Sequence, residues 1–360
     1  MAIPFFSVVI DTYNYGNYLK EAIESVLNQT FPLSEVEIIV VDDGSTDNTS
    51  ELVKKYKDAI TYIYKENGGQ ASAFNAGFLR ARGKFVSLLD ADDFWYKDKL
   101  KIVACHFEKS SGSVDIVNHN LSISEENGGD AYWWNQDEGE VAFRQYNSDD
   151  YIGGILIPVV PTSGNTFRMD CLKKVLPVPD YYRVCADSYL HTVMPLVAGK
   201  IIYIPEPLGG YRIHGKNCWS NHDTFTIEKI IEKESLNLHD LQKWMDAAGL
   251  KNRLVENKMQ MAINRKKIFY YNSRGEKLKA LREALLYKDF AHANPPILYK
   301  ILKRISVLAS AVIPPDDYHE ICERSYFLYV WLMRKLWKDL KYAPIINKMA
   351  KNKTGLSKKK

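Results

Sequence analysis

Asp90, Asp92 and Asp93 follow directly on the apolar run Phe85-Val86-Ser87-Leu88-Leu89. Three carboxylates therefore fall at the carboxyl end of a predicted buried parallel strand, where open α/β sheets bind their ligands. A hard divalent cation held by one or two carboxylates completes its shell on phosphate oxygens, the usual way to hold a nucleoside diphosphate. An isolated Asp-x-Asp reads more readily as an acidic turn capping the next helix. Two more polar turns accompany this one: Asp11-Thr12-Tyr13-Asn14 after the apolar run 6–10, and Asp42-Asp43-Gly44-Ser45-Thr46-Asp47 after the run 37–41. An aromatic ring, an amide and carboxylates at adjacent strand ends can sandwich a base and accept a hydrogen bond from its imide N–H. Taken singly, each is also an ordinary turn whose Thr46 or Asp47 could cap a helix.

The elements that must position these groups alternate along the chain. Strand-like runs at 6–10, 37–41, 60–64 and 85–89 are separated by segments with one apolar helical face, at 18–29, 47–56, 70–81 and 97–107. Such alternation with short connections predicts a mostly parallel sheet with helices on both faces, its ligand-bearing turns gathered at one edge. Within that frame Asp93 reads as a cap of the helix at 97–107 or as a residue behind the metal. Gly68 and Gly69 break the pattern before the third helix and let backbone approach a ligand closely. Residues 127–150, rich in Gly, Asp, Asn and aromatics and including Tyr132-Trp133-Trp134, read as a long irregular insertion. Its rings could stack on a sugar or form a surface plug.

Four ordered segments carry a resemblance. They are Val8-Val9-Ile10-Asp11-Thr12-Tyr13-Asn14, then Ile38 to Asp47, then Asn67-Gly68-Gly69-Gln70-Ala71-Ser72-Ala73-Phe74-Asn75-Ala76-Gly77, then Leu89-Asp90-Ala91-Asp92-Asp93-Phe94-Trp95. Together they resemble a family 2 glycosyltransferase, with weaker similarity to about Asn217. The resemblance implies a GT-A fold, a nucleotide-diphosphate-sugar donor, a divalent metal (Mn²⁺ or Mg²⁺) and inversion at the anomeric carbon. By position it implies that Asp11, Tyr13 and Asp43 hold the nucleobase, with Gly69 close to the nucleotide. Asp90 would face the ribose or a metal-bound water, and Asp92 and His214 would bind the metal. Thr162, Ser163 and Gly164 would lie where donor sugar and acceptor meet, and Arg212 and Lys216 would assist the diphosphate. Asp11 stands where the family usually has proline.

Inverting transfer needs a base for the acceptor hydroxyl, and a carboxylate suffices because the proton moves late. Asp187 occupies the place of the family's acidic base; it also opens a helix-like run, where an N-cap role is the alternative. The usual acid just before it is Ala186 here.

Composition bounds the rest. With 360 residues, 46% of them hydrophobic, the chain can bury a large core, and its length suits a catalytic domain followed by an extension. Residues 1–222 are expected to form the catalytic domain, with a nucleotide-sugar half at 1–110 and an acceptor half at 111–222. Residues 223–345 would be a helical extension and 346–360 a basic tail. Residues 1–250 carry 23 Lys and Arg against 35 Asp and Glu, whereas 251–360 carry 25 against 9. The first part is too acidic to favour nucleic acid, and the second shows no nucleic-acid motif. The five scattered cysteines read as reduced residues, the N-terminus shows no signal-peptide pattern, and no apolar run spans a bilayer. A cytoplasmic enzyme is the expectation. Its basic C-terminal helices, at 297–313 and 326–340 among others, would either dock on the inner membrane face or pack on the catalytic domain or a second subunit. The acceptor would be a glycan or lipid-linked glycan, and a UDP-sugar the donor. A nucleotidyltransferase, or a non-catalytic module binding nucleotide sugars or glycans, is the alternative; the former would be expected to carry a Gly-rich phosphate loop that is absent here.

Overall fold

The structure, a computed structural model, describes residues 3–125, 132–133, 144–155, 157–214, 217 and 226–286. The chain divides into two compact units, Met1–Met259 and Gln260–Lys360.

In the first unit, β1 (Phe6–Thr12), β2 (Val36–Asp42), β3 (Thr61–Tyr64) and β4 (Phe85–Asp90) form a parallel half-sheet in the order 3-2-1-4. The sheet continues beyond β4 through β9 (Asn165–Arg168), β6 (Val114–Glu125), β10 (Lys200–Ile213) and β5 (Phe94–Trp95). Antiparallel β9 sits between β4 and β6, whereas β6 and β10 run parallel. The fold is thus the mixed, mostly parallel α/β sheet that the alternation predicts. The supposed irregular insertion contributes β7 (Tyr132–Trp133) against β6, β8 (Arg144–Tyr146) against β10, and α5 (Ser148–Ile152). Strands of two and three residues hold too little alternation to be visible in sequence.

Strands β1, β2 and β4 are apolar on both faces because both are covered. Val8 and Ile10 face α1 (Gly16–Leu27) and α4 (Lys99–Lys109), packing on Leu19, Ile23, Leu100 and Val103. Val9, one residue out of phase, packs with Val41 and Leu88 on the other face, against Phe74 and Phe78 of α3 (Gln70–Arg80) and Leu190 and Val193 of α7 (Asp187–Val197). Helix α3 lies close on the sheet at Gly77, where an added Cβ would come within 2.4 Å of Val9 Cγ1. Short α2 (Thr49–Val53) follows β2, and α6 (Met169–Leu172) follows β9. Helix α8 (Ile227–Ala247) belongs to this unit: Asn237 and Asp240 accept hydrogen bonds from the Tyr182 hydroxyl, both at 2.9 Å.

The unit boundary falls inside α9 (Leu254–Ser273). In the second unit its later turns and α10 (Lys277–Leu286) gather Met261, Ile268, Ala280 and Ala284 into a small core. The helices expected at 297–313 and 326–340, and the basic tail, lie outside the described residues. No helix among the described residues is long and apolar enough to cross a membrane.

Candidate active site

Strands β1, β2 and β4 end level with one another. Register pairs Asp11 with Asp90 across β1 and β4, and Thr12 with Asp42 across β1 and β2. The chain turns immediately after each of these strands, so their acidic ends form one edge. At the end of β4, potential ligand atoms of Asp90, Asp92 and Asp93 lie within 4.8 Å of one another. The end of β10 crosses over this cluster and delivers His214, whose Nε2 is 2.9 Å from Asp92 Oδ2. The His214 ring is buried, stacked on Tyr18 at 4.7 Å between centroids and set edge-on to Tyr15. Asn217 completes the corner, donating from Nδ2 to Asp92 Oδ2 at 3.3 Å and to the Arg212 carbonyl at 2.8 Å.

Asp93 supports this arrangement from behind. Its Oδ2 accepts from the Ser163 hydroxyl at 2.6 Å and its Oδ1 from the Arg212 N–H at 3.0 Å, while the Asp90 N–H donates to Ser163 Oγ at 3.1 Å. Asp93 is not a helix cap. Helix α4 begins at Lys99 with Asp98 at its N-cap position.

On the other side, Gln70 at the start of α3 donates from Nε2 to Asp90 Oδ1 at 3.1 Å and to Asp11 Oδ2 at 3.3 Å. Its Oε1 accepts from the Ala186 N–H at 2.9 Å, one residue before Asp187. Gly69 is essential to this packing: its φ is +87°, and an added Cβ would sit 2.6 Å from the Arg183 Cα. Asp43 ties the same loop down, accepting from Lys65 Nζ at 2.6 Å, from the Gly68 N–H at 3.0 Å and from the Gly69 N–H at 2.7 Å.

The electrostatics are those of an acidic cluster that Arg212 compensates only in part. Loss of water, reinforced by the neighbouring Asp92 charge and offset by hydrogen bonds, pushes the Asp11 carboxyl up to about 7. Burial first, then the charges of Asp11, Asp92, Asp93 and Asp187, holds Asp90 well above the ordinary carboxylate range. Asp93 is raised by burial and by Asp92, with Ser163 and Arg212 opposing. Asp11 Oδ1 is buried and has no hydrogen-bond partner. Crowded carboxylates with an orphaned oxygen are hard donors that suit Mn²⁺ or Mg²⁺, and the adjoining imidazole, a borderline donor, favours Mn²⁺ of the two.

A carboxyl raised on folding stabilises the fold below the ordinary range, and that contribution is lost as pH climbs from 3.8 towards about 7. Asp11→Asn should therefore raise the melting temperature of the metal-free protein at pH 8, by about 2–4 °C per kcal/mol relieved, and leave it unchanged near pH 4. Scanning calorimetry at the two pH values checks this; an equal shift at both would reject the repulsion.

The comparisons with known proteins agree on one family. The glycosyl transferase family 2 model matches residues 7–176. An uncharacterized glycosyltransferase of Nostoc sp. is 37% identical over 239 residues, 64% of this chain and 71% of the relative. The chain is a family 2 glycosyltransferase. Among solved structures, Staphylococcus aureus TarS in complex with UDP-GlcNAc superposes with a TM-score of 0.56 at 21% identity, covering 86% of this chain and 81% of that one. The mannosyltransferase PcManGT of Pyrobaculum calidifontis, in complex with GDP-Man and Mn²⁺, gives 0.51 at 16% identity, covering 94% and 89%.

In this family 2 enzyme the sequence-expected residues fall as follows. Asp11, Asp90, Asp92 and His214 gather at the end of β4, and Asp43 and Gly69 meet in the loop beside them. Tyr13 is 47% exposed at the rim. Thr162, Ser163 and Gly164 form a buried turn under the cluster. Arg212 directs Nε to the Asp92 carbonyl at 3.0 Å and Nη2 to Glu21 at 2.6 Å. Lys216 lies outside the described residues. Asp187 is the first residue of α7, with Ala186 at the N-cap, so the capping alternative is not what the structure shows. Gln70 lies within the third of the resembling segments and Asn217 at the end of the weaker similarity, and the sequence alone gives neither a task. An amide carries no charge to flag it, and its role depends on which carboxylates the fold brings near.

Proposed function

We propose that this family 2 glycosyltransferase moves a sugar from a UDP-sugar to a hydroxyl of a glycan or lipid-linked glycan, using a divalent cation and inverting the anomeric carbon. The observation that carries this is the contact of His214 with Asp92 at 2.9 Å, beside Asp90, made by residues 122 positions apart in sequence. Asp92 and His214 would hold the cation, with Asp90 contributing through a water. When bound, such a cation neutralises charge on a leaving diphosphate as a Lewis acid.

The remaining work falls to the chain's own groups. Asp43 spends three acceptor positions on Lys65, Gly68 and Gly69, which leaves about one of a carboxylate's four lone pairs for a base N–H. Tyr13 supplies a ring beside it, and Gly69 lets the loop approach the nucleotide. Asp187 removes the proton from the attacking hydroxyl, and Thr162, Ser163 and Gly164 line the region where the two sugars meet. UDP-GlcNAc in TarS and GDP-Man in PcManGT show that related folds serve different nucleotides, so the base must be tested. Thermal shift with UDP- and GDP-sugars, with and without Mn²⁺, does so. At a hundredfold excess over Kd the true donor stabilises by about 2.7 kcal/mol. The UDP-sugars are expected to act with Mn²⁺ only, and an equal response to GDP-sugars would contradict the choice of base.

The C-terminal third, with 25 basic against 9 acidic residues over 251–360, supports peripheral docking on an anionic membrane where a lipid-linked acceptor resides. Each Lys or Arg near such a surface contributes roughly 1 kcal/mol, and salt weakens it. Flotation with anionic liposomes at low salt should recover the full chain and not one ending at Asn294. Failure of both to float would favour an oligomer interface instead.

A further inference from the structure

We infer that Gln70 is a positioning residue that couples the donor side of the site to the catalytic base. This rests on the donor and base assignments proposed above and extends them to a residue they do not use. The side chain spans two elements that have no covalent reason to move together. Its Nε2 bridges Asp90 and Asp11, the paired strand ends of β4 and β1, at 3.1 and 3.3 Å, and its Oε1 takes the Ala186 N–H at 2.9 Å.

Ala186 is fully buried at the N-cap of α7, and Asp187 follows it. The adjoining backbone reinforces the link. Gln70 N–H donates to the Arg183 carbonyl at 2.9 Å and Ala71 N–H to the Tyr182 carbonyl at 3.1 Å. The first turn of α3 is thus joined to the segment leading into the base. Gly69, with its φ of +87°, permits the close approach that lets these bonds form.

One amide can do this because it carries both donors and an acceptor. The carboxylates accept from its NH₂ and the helix amide donates to its oxygen, so the orientation of the amide is fixed by its partners. A ligand that reorganises Asp90 therefore shifts the group that holds the start of α7. A displacement of about 1 Å at a reacting group can cost on the order of a hundredfold in rate, which makes such a tether consequential.

Gln70→Ala removes all three side-chain bonds. Gln70→Glu keeps an oxygen for the Ala186 N–H but sets a further carboxyl against Asp90 and Asp11 where the amide donated. The test is amide hydrogen exchange over residues 183–190 in the full-length protein, unliganded and with UDP plus Mn²⁺, with UDP binding followed by calorimetry. In the wild type, UDP with Mn²⁺ is expected to slow exchange in this segment about tenfold. Gln70→Ala should exchange about tenfold faster when unliganded and show no response to bound UDP. Gln70→Glu should also lose the response.

A response to UDP that persists in either variant overturns the coupling, as does a wild type that binds UDP without slowing the segment. If Gln70→Ala does not fold, Gln70→Glu decides by the same criterion. A wild type that does not bind UDP counts against the proposed donor instead. The hold of Gln70 on Ala186 is then decided by unliganded exchange: equal rates in the wild type and Gln70→Ala reject it, and faster exchange in the variant supports it.

Discussion

Asp92→Asn is expected to abolish Mn²⁺-dependent binding of UDP and to lower turnover roughly a thousandfold, while the protein stays folded. The magnitude follows from the several kcal/mol that a cation contributes to charge stabilisation, at 1.36 kcal/mol per factor of ten in rate. The substitution keeps shape and removes charge. His214 Nε2 and Asn217 Nδ2, now 2.9 and 3.3 Å from Asp92 Oδ2, can still bond to the amide oxygen, so the end of β10 remains anchored. Removing one negative charge from a cluster in which Asp90 and Asp93 are already raised by it should, if anything, stabilise the metal-free fold. Calorimetric titration of UDP with and without Mn²⁺ measures the first effect and a melting curve the second. Unaltered Mn²⁺-dependent binding in the variant would remove Asp92 from the metal site.

Asp187→Asn should separate chemistry from binding. Loss of a general base costs about 10²–10⁴ in turnover. Donor affinity should change little, since the groups proposed to bind the nucleotide lie on β1, β2 and β4 and their loops. The alternative, that Asp187 serves only the helix, predicts a different pattern. At the first position of α7 a carboxylate gains about 0.3–1 kcal/mol from the helix dipole, so its loss would lower the melting temperature slightly and spare the rate. Steady-state kinetics on the variant distinguish the two, and unchanged turnover would reject Asp187 as the base. The proposed single displacement, with Asp187 as base opposite the leaving diphosphate, predicts a product of the opposite anomeric configuration, which NMR reads directly.

Much of the fold was legible because continuous apolar runs, as expected of strands buried on both faces, alternate with period-3.6 patterns through the first hundred residues. Val8, Val9 and Ile10 are all apolar, and both faces of β1 are indeed buried. Legibility fell where elements became short or pairing became non-local. β9 is four residues long and antiparallel between two longer strands, and β7 and β8 are shorter still. The acidic turns were visible because three of them follow apolar strands that share one sheet edge, which ordinary turns and caps do not require. His214 needed the family resemblance, since nothing local says that the end of β10 returns to Asp92. The distance of Asp93 from the helix expected at 97–107 suits a cap, but the chain first forms β5 and starts α4 only at Lys99. Gln70 was invisible as a tether, because hydrogen bonds to Asp11, Asp90 and Ala186 exist only once β1, β4 and α7 are assembled.

The most direct measurement is release of free nucleoside diphosphate by the full-length protein from a panel of nucleotide sugars, in Mn²⁺ and again in excess chelator. The account predicts release of UDP from at least one UDP-sugar, dependent on Mn²⁺ and lost with chelator and in Asp92→Asn. Equal release in chelator, or no release from any UDP-sugar while a GDP-sugar is turned over, would contradict it.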